Sequence, residues 1–83
     1  MADIRTLTPG QRYCVVREFV DYDHQVHLVG ETWIFECTNF VPYEDGLTLH
    51  VRLNGLPVVY RLQQRPEEQA PLIENFTNFV AAC

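Results

Sequence analysis

No stretch of the sequence approaches the ~18 consecutive apolar residues that would cross a bilayer as a helix. The opening MADIRTLTPGQ holds no apolar run of signal-peptide length, so the expected location is cytoplasmic, with no membrane partner. Cysteine is scarce and irregularly spaced. Cys14, Cys37 and Cys83 form an odd set without CxxC or CxxxC spacing, which gives no sign of a zinc knuckle or a disulfide framework and leaves reduced thiols as the expectation. Cys14 and Cys37 lie in apolar, strand-like runs and read as small buried hydrophobes, whereas Cys83 sits at a terminus expected to fray. Positive charge is also short. The six basic residues are all Arg, against eleven acids, for a formal net charge of -5. Nucleic-acid affinity comes largely from Lys and Arg displacing counterions, so this balance disfavours a nucleic-acid partner. No cofactor motif is present.

What is there suits one small folded unit. The apolar share is 47% and the charged share 20%, the profile of a packed globule. A chain of 83 residues buries roughly 60 to 65% of the surface its unfolded form exposes, so nearly every large apolar residue is needed for the core and little volume is left for a deep pocket. Residues 1–83 read as a single domain, a β meander over 11–63 followed by a helical C-terminus over 66–81.

Pro9-Gly10 launches the first strand, Gln11 to Val20, in which Tyr13, Val15 and Phe19 share a face and the opposite parity is also partly apolar. DYDHQVHLVGE interrupts it as an irregular loop or loose hairpin. In ETWIFECT, Trp33, Phe35 and Cys37 alternate with polar residues at period two, a second strand with Trp33 in the core. Phe40-Val41-Pro42-Tyr43-Glu44-Asp45-Gly46 then turns the chain, Asp45-Gly46 being a favoured turn pair. The clearest signal follows: Leu47, Leu49, Val51 and Leu53 point one way, Asn54-Gly55 supplies a two-residue turn, and Val58, Tyr60 and Leu62 continue inward. After two prolines, Leu72, Ile73, Phe76, Phe79 and Val80 mark one face of a short helix that docking must hold.

These elements predict a mainly β fold with a C-terminal helix, either a strongly bent antiparallel meander or a small barrel of four to five strands. The order of elements over residues 7 to 63 resembles that of SH3-like barrels. The combination of DYDHQVH, GETWIF and FVPYEDGLTLHV is similar to a family of small uncharacterised bacterial domains, a resemblance that implies a fold and no known activity.

Three functional readings compete. The preferred one is a noncatalytic protein-interaction module, a small bacterial accessory or inhibitor protein whose acidic and aromatic surface would mask a basic partner. Its contact residues would be Asp21, Tyr22, Asp23, Phe40, Tyr43 and Glu44, since aromatic residues in connections are often exposed for a partner. The second reading is a metal or small-molecule site. Asp21, Asp23, His24 and His27 could gather around a divalent cation, although no EF-hand spacing is present and HxxH in a loop fixes no geometry. The simplest view of that segment is a solvated loop whose Asp residues cap turns. The third is a small enzyme using His27 with Glu31, or Cys14 or Cys37 with His50. Strand parity sets Cys37 and His50 on opposite faces, and an acid-base pair would need hydrogen-bonding reach beside a cleft. The partner of the preferred reading is another protein, and the chain itself is expected to be a monomer or, through an unpaired edge strand, a weak homodimer.

Overall fold

The fold is built around the hairpin that the alternating pattern marks. Asn54 and Gly55 have φ angles of 54° and 82°, the left-handed pair a two-residue turn requires. They join β5 (Gly46–Leu53) to β6 (Leu56–Gln63) in continuous antiparallel register from Leu53↔Leu56 to Gly46↔Gln63. Leu47, Leu49, Val51, Tyr60 and Leu62 all face the core. The computed structural model describes residues 4–41, 46–63 and 69–83, Val41 by its backbone alone. Pro42, Tyr43, Glu44 and Asp45, with the turn expected there, lie outside the described residues, as do residues 66–68 of the expected helical segment.

Two further strands extend the sheet from β5. β4 (Thr32–Val41) pairs with β5, and β1 (Arg12–Val15) pairs with β4. The expected alternation holds at Trp33 and Phe35, both buried, and then fails at Cys37. A β-bulge between Phe35 and Cys37 puts Glu36 into β4 as an extra residue, so that Phe35 opposes Val51 while Cys37 opposes His50. One inserted residue reverses which face later side chains take. Cys37 is therefore exposed, and it is the direct cross-strand neighbour of His50, correcting both its expected burial and its expected separation from that histidine.

The first strand is shorter than its composition suggests. After Val15 the amides of Val16 and Arg17 both donate to the Phe79 carbonyl, at 2.7 and 3.2 Å, and the chain leaves the sheet. It resumes as β2 (Phe19–Val20), which pairs with β3 (Val26–His27) in a separate two-stranded ribbon. The predicted ten-residue strand is thus two strands in two sheets.

At the C-terminus the helix is present but brief. α1 (Ala70–Glu74) ends where Asn75 donates from its backbone and its side chain to the Pro71 carbonyl, at 3.1 and 2.8 Å. A 3-10 turn, Phe76–Asn78, follows, and the chain then extends as β7 (Val80–Ala82) against β1. Ile73, Phe76 and Val80 are buried as the apolar spacing predicts, yet Val80 reaches the core from a strand. This pairing also overturns the expectation of reduced thiols. Cys14 opposes Ala81, and two residues on Cys83 forms a disulfide with it, Cα atoms 5.9 Å apart, across a sequence separation of 69. The five strands run in the order β6-β5-β4-β1-β7. Among the described residues β6 and β7 are its two edges, so the sheet is an open antiparallel one and not a closed barrel.

Candidate functional site

The polar segment 21–31 organises around one carboxylate. Asp21 Oδ1 accepts the amides of Asp23 and Gln25 at 2.9 and 3.0 Å, and the Asp21 amide donates to the Gln25 carbonyl at 3.0 Å. Asp commonly folds its own backbone over in this way. His24 takes the left-handed conformation the reversal needs, at φ 66°. The loop turns β2 into β3 and leaves Asp21 Oδ2 directed inward.

That oxygen meets His27. Its Nε2 lies 2.9 Å from Asp21 Oδ2 and its Nδ1 lies 2.7 Å from Glu31 Oε2, the same Glu31 oxygen that accepts the Trp33 indole N–H at 3.0 Å. The imidazole is stacked on Phe19, centroids 4.6 Å apart, and meets Tyr60 edge-on at 4.4 Å. Asp21 and His27 are each only 2% exposed. An ionised carboxylate can only accept, so both contacts are hydrogen bonds together when the ring presents two N–H donors. Burial, and after it the charges of Glu31 and Asp21, hold the Tyr60 phenol above its ordinary pKa.

The ribbon is also tied to the β6 edge. The Tyr22 amide donates to the Arg61 carbonyl at 2.8 Å, and the Gln69 side chain donates to the Val20 carbonyl at 2.7 Å while accepting the Gln63 amide at 2.9 Å. Asp23 pairs with the Arg61 guanidinium at 2.8 Å, and the hydrogen bonds from Arg61 hold its carboxyl below the ordinary value.

The residues singled out from sequence therefore part company. Asp21 and His27 come together in the interior, so the segment is more than a solvated loop with turn caps. Asp23 turns to Arg61, and His24 stays exposed at the loop tip. Among the described residues no group of three or more His, Cys, Asp or Glu side chains is disposed to hold a metal ion. His27 and Glu31 do lie within hydrogen-bonding reach, but both ring nitrogens are engaged and aromatic rings cover the imidazole, which leaves it no nitrogen open to a substrate. Cys14 is committed to the disulfide, and His50 Nε2 faces the Thr48 hydroxyl at 3.1 Å. Tyr22 is exposed with the Arg61 guanidinium 6.0 Å from its ring, and Phe40 is exposed opposite Leu47 near the far end of β4. Tyr43 and Glu44 lie outside the described residues.

Sequence reasoning missed the outer side of the ribbon. Because Phe19 and His27 pair with their side chains inward, the next pair, Val20 and Val26, faces outward. Val26 is 52% exposed, Leu28 60% and Val29 64%, and Val16 before the ribbon and Tyr22 in its loop are exposed too. The run Val26-His27-Leu28-Val29, apolar at both parities within a polar loop, is the signal that could have located them.

The sequence matches the model of a family described as a domain of unknown function, DUF3601, over residues 4–81. The solved structure of an integron cassette protein from the mobile metagenome of Vibrio cholerae is similar to the chain with a TM-score of 0.91, covering 100% of this chain and 92% of that one at 34% identity. No curated protein matches.

Proposed function

The chain belongs to the DUF3601 family of domains of unknown function, and from that premise we propose that it is a noncatalytic protein-interaction module whose contact surface is the outward side of the β2–β3 ribbon. One observation carries the reading. Within residues 20–29 the usual sorting is inverted: Asp21 and His27 are buried while Val20, Val26, Leu28 and Val29 face solvent. Scattered apolar residues on a surface need no explanation, but a set of them on one rigidly tied element is what a partner site requires.

The surface expected from sequence is thereby redrawn. Tyr22 and Asp23 remain at its margin, Asp21 becomes the post that holds it, and the valines and Leu28 form its centre. The net charge of -5 favours a basic partner, which a small accessory or inhibitor protein would mask. A cytoplasmic location is part of the same proposal. Among the described residues no helix is long and apolar enough to cross a membrane.

The test is capture from native lysate with wild type, Val26→Glu/Leu28→Glu, and Leu56→Glu as an exposed control at the hairpin turn. All three should melt within ~3 °C of one another, since exposed substitutions cost little. A protein retained by wild type and by the control and lost from the double variant is the expected result. Identical captured sets from wild type and double variant would refute the surface.

A further inference from the structure

We propose that the Cys14–Cys83 disulfide is a thiol-reversible clasp, whose reduction releases residues 81–83 from the sheet and opens the β1 edge while the rest of the fold stays in place. The inference is independent of the ribbon surface.

Strand β7 is held at two ends that differ in kind. At its start the Phe79 carbonyl receives the amides of Val16 and Arg17, the Arg17 guanidinium lies 4.9 Å from the Phe79 ring centroid, and the Val80 side chain is 2% exposed in the core. At its end Ala81, Ala82 and Cys83 are all exposed, so no side chain of that stretch is anchored in the interior. They are held by ladder bonds to β1, including Cys83 N–H to the Arg12 carbonyl at 3.1 Å, and by the disulfide. Three such residues, two of them in an edge strand and none with a side chain in the core, are at the weak end of local stability. Removing the crosslink leaves only solvent-exposed backbone bonds to hold them, with Val80 as the hinge. The backbone of Arg12 and Cys14 that faces Cys83 and Ala81 would then become an open sheet edge.

The clasp is placed where a reductant can reach it, Cys83 being exposed and Cys14 half-buried. A dithiol reductant supplies the chemistry. Its thiolate attacks the Cys83 sulfur, the sulfur–sulfur bond breaks, and Cys14 leaves as a thiolate that takes up a proton. The second thiol of the reductant then displaces Cys83 from the mixed disulfide, so two electrons pass to the protein, two protein thiols form and the reductant ends as a disulfide.

The experiment uses the full chain carrying Cys37→Ser, so that every thiol counted comes from the clasp. Oxidised protein, protein treated with dithiothreitol without denaturant, and the Cys14→Ser/Cys83→Ser variant are compared at ~10 °C, near the usual maximum of stability. Thiol titration should rise from none to two per chain on reduction. Amide order parameters at Ala81, Ala82 and Cys83 should fall from ordered values to below ~0.6, with the same fall in the double serine variant at Ala81 and Ala82. Chemical shifts of the Leu49 and Val51 amides and of the Trp33 indole should stay put. Order retained at Ala81 and Ala82 after reduction, no thiols released without denaturant, or loss of dispersion throughout the spectrum would each overturn the proposal.

Discussion

Replacing His27 with Leu should be among the most damaging single changes available outside the apolar core, and the reason lies with Asp21. The substitution removes both hydrogen bonds of the ring, at 2.9 Å to Asp21 and 2.7 Å to Glu31. Glu31 keeps the Trp33 indole as a donor and has a side chain 24% exposed, so water can answer part of its charge. Asp21, 2% exposed, keeps two backbone amides on Oδ1 but has nothing left for Oδ2. Removing the partner of a buried carboxylate costs about 3–5 kcal/mol, because the charge left behind stays desolvated. With an unfolding entropy of about 2.1 cal/mol/K per residue over 83 residues, each kcal/mol moves the midpoint by ~6 °C, so the expected fall is ~15–30 °C by circular dichroism. A second variant separates charge from packing. Adding Asp21→Asn to His27→Leu removes the stranded charge and keeps the Oδ1 acceptor, and should recover at least ~1 kcal/mol of the loss. A single variant within ~6 °C of wild type, or a double variant no more stable than the single, would show that the buried carboxylate does not govern this site.

Two shorter predictions rest on Tyr60 and on the hairpin turn. The Tyr60 phenol is held above its ordinary value of 10.0 by burial and by the charges of Glu31 and Asp21, so above that pH the unfolded chain releases the proton first and stability falls as pH rises toward the folded-state value. Tyr60→Phe should flatten that alkaline decline in urea unfolding, and matching declines in the two proteins would count against the assignment. Gly55→Ala places a side chain at φ 82°, where its Cβ meets nothing within 4 Å, so its cost is conformational alone. A loss of about 1 kcal/mol is expected in thermal unfolding, and an unchanged midpoint would refute the turn geometry.

The β5–β6 hairpin was legible because every cue agreed: strict alternation, an Asn-Gly turn and a run long enough to fix register. The departures come from three places where one local event outweighs a pattern. The bulge at Glu36 reverses parity for Cys37, and no residue type in ETWIFECT announces it. In Gln11 to Val20 the apolar spacing is compatible with one strand, but Arg17 and Glu18 mark where the chain crosses between sheets, a decision taken by the distant Phe79 carbonyl. At the C-terminus the helical spacing of Ile73, Phe76 and Val80 is real, and pairing with β1 nevertheless draws Val80 into a strand and brings Cys83 to Cys14. That contact spans 69 positions and has no local signature. Within the candidate site the residues and the pairing of His27 with Glu31 were visible, but the burial of Asp21 against the other side of the same ring was not, since it follows only once Phe19 and Val26 have paired β2 with β3.

The inward histidine and the outward valines are consequences of one register. A two-stranded ribbon has little stability of its own and must be fastened to something. Sliding β3 by one residue against β2 would turn Val26 toward Phe19 and the core and send His27 into water, the exchange that simple burial of apolar surface favours. The fold holds the opposite arrangement through contacts that depend on direction: Asp21 must meet Nε2, Glu31 must meet Nδ1, and the ring must lie flat on Phe19. A slipped ribbon loses all of these and strands Asp21 in the interior. The polar cluster thus acts as a register lock, and what the lock secures is the exposure of Val26 beside Val20. Local rules tend to be broken where function requires it, and this ribbon breaks the most general of them on both of its faces at once.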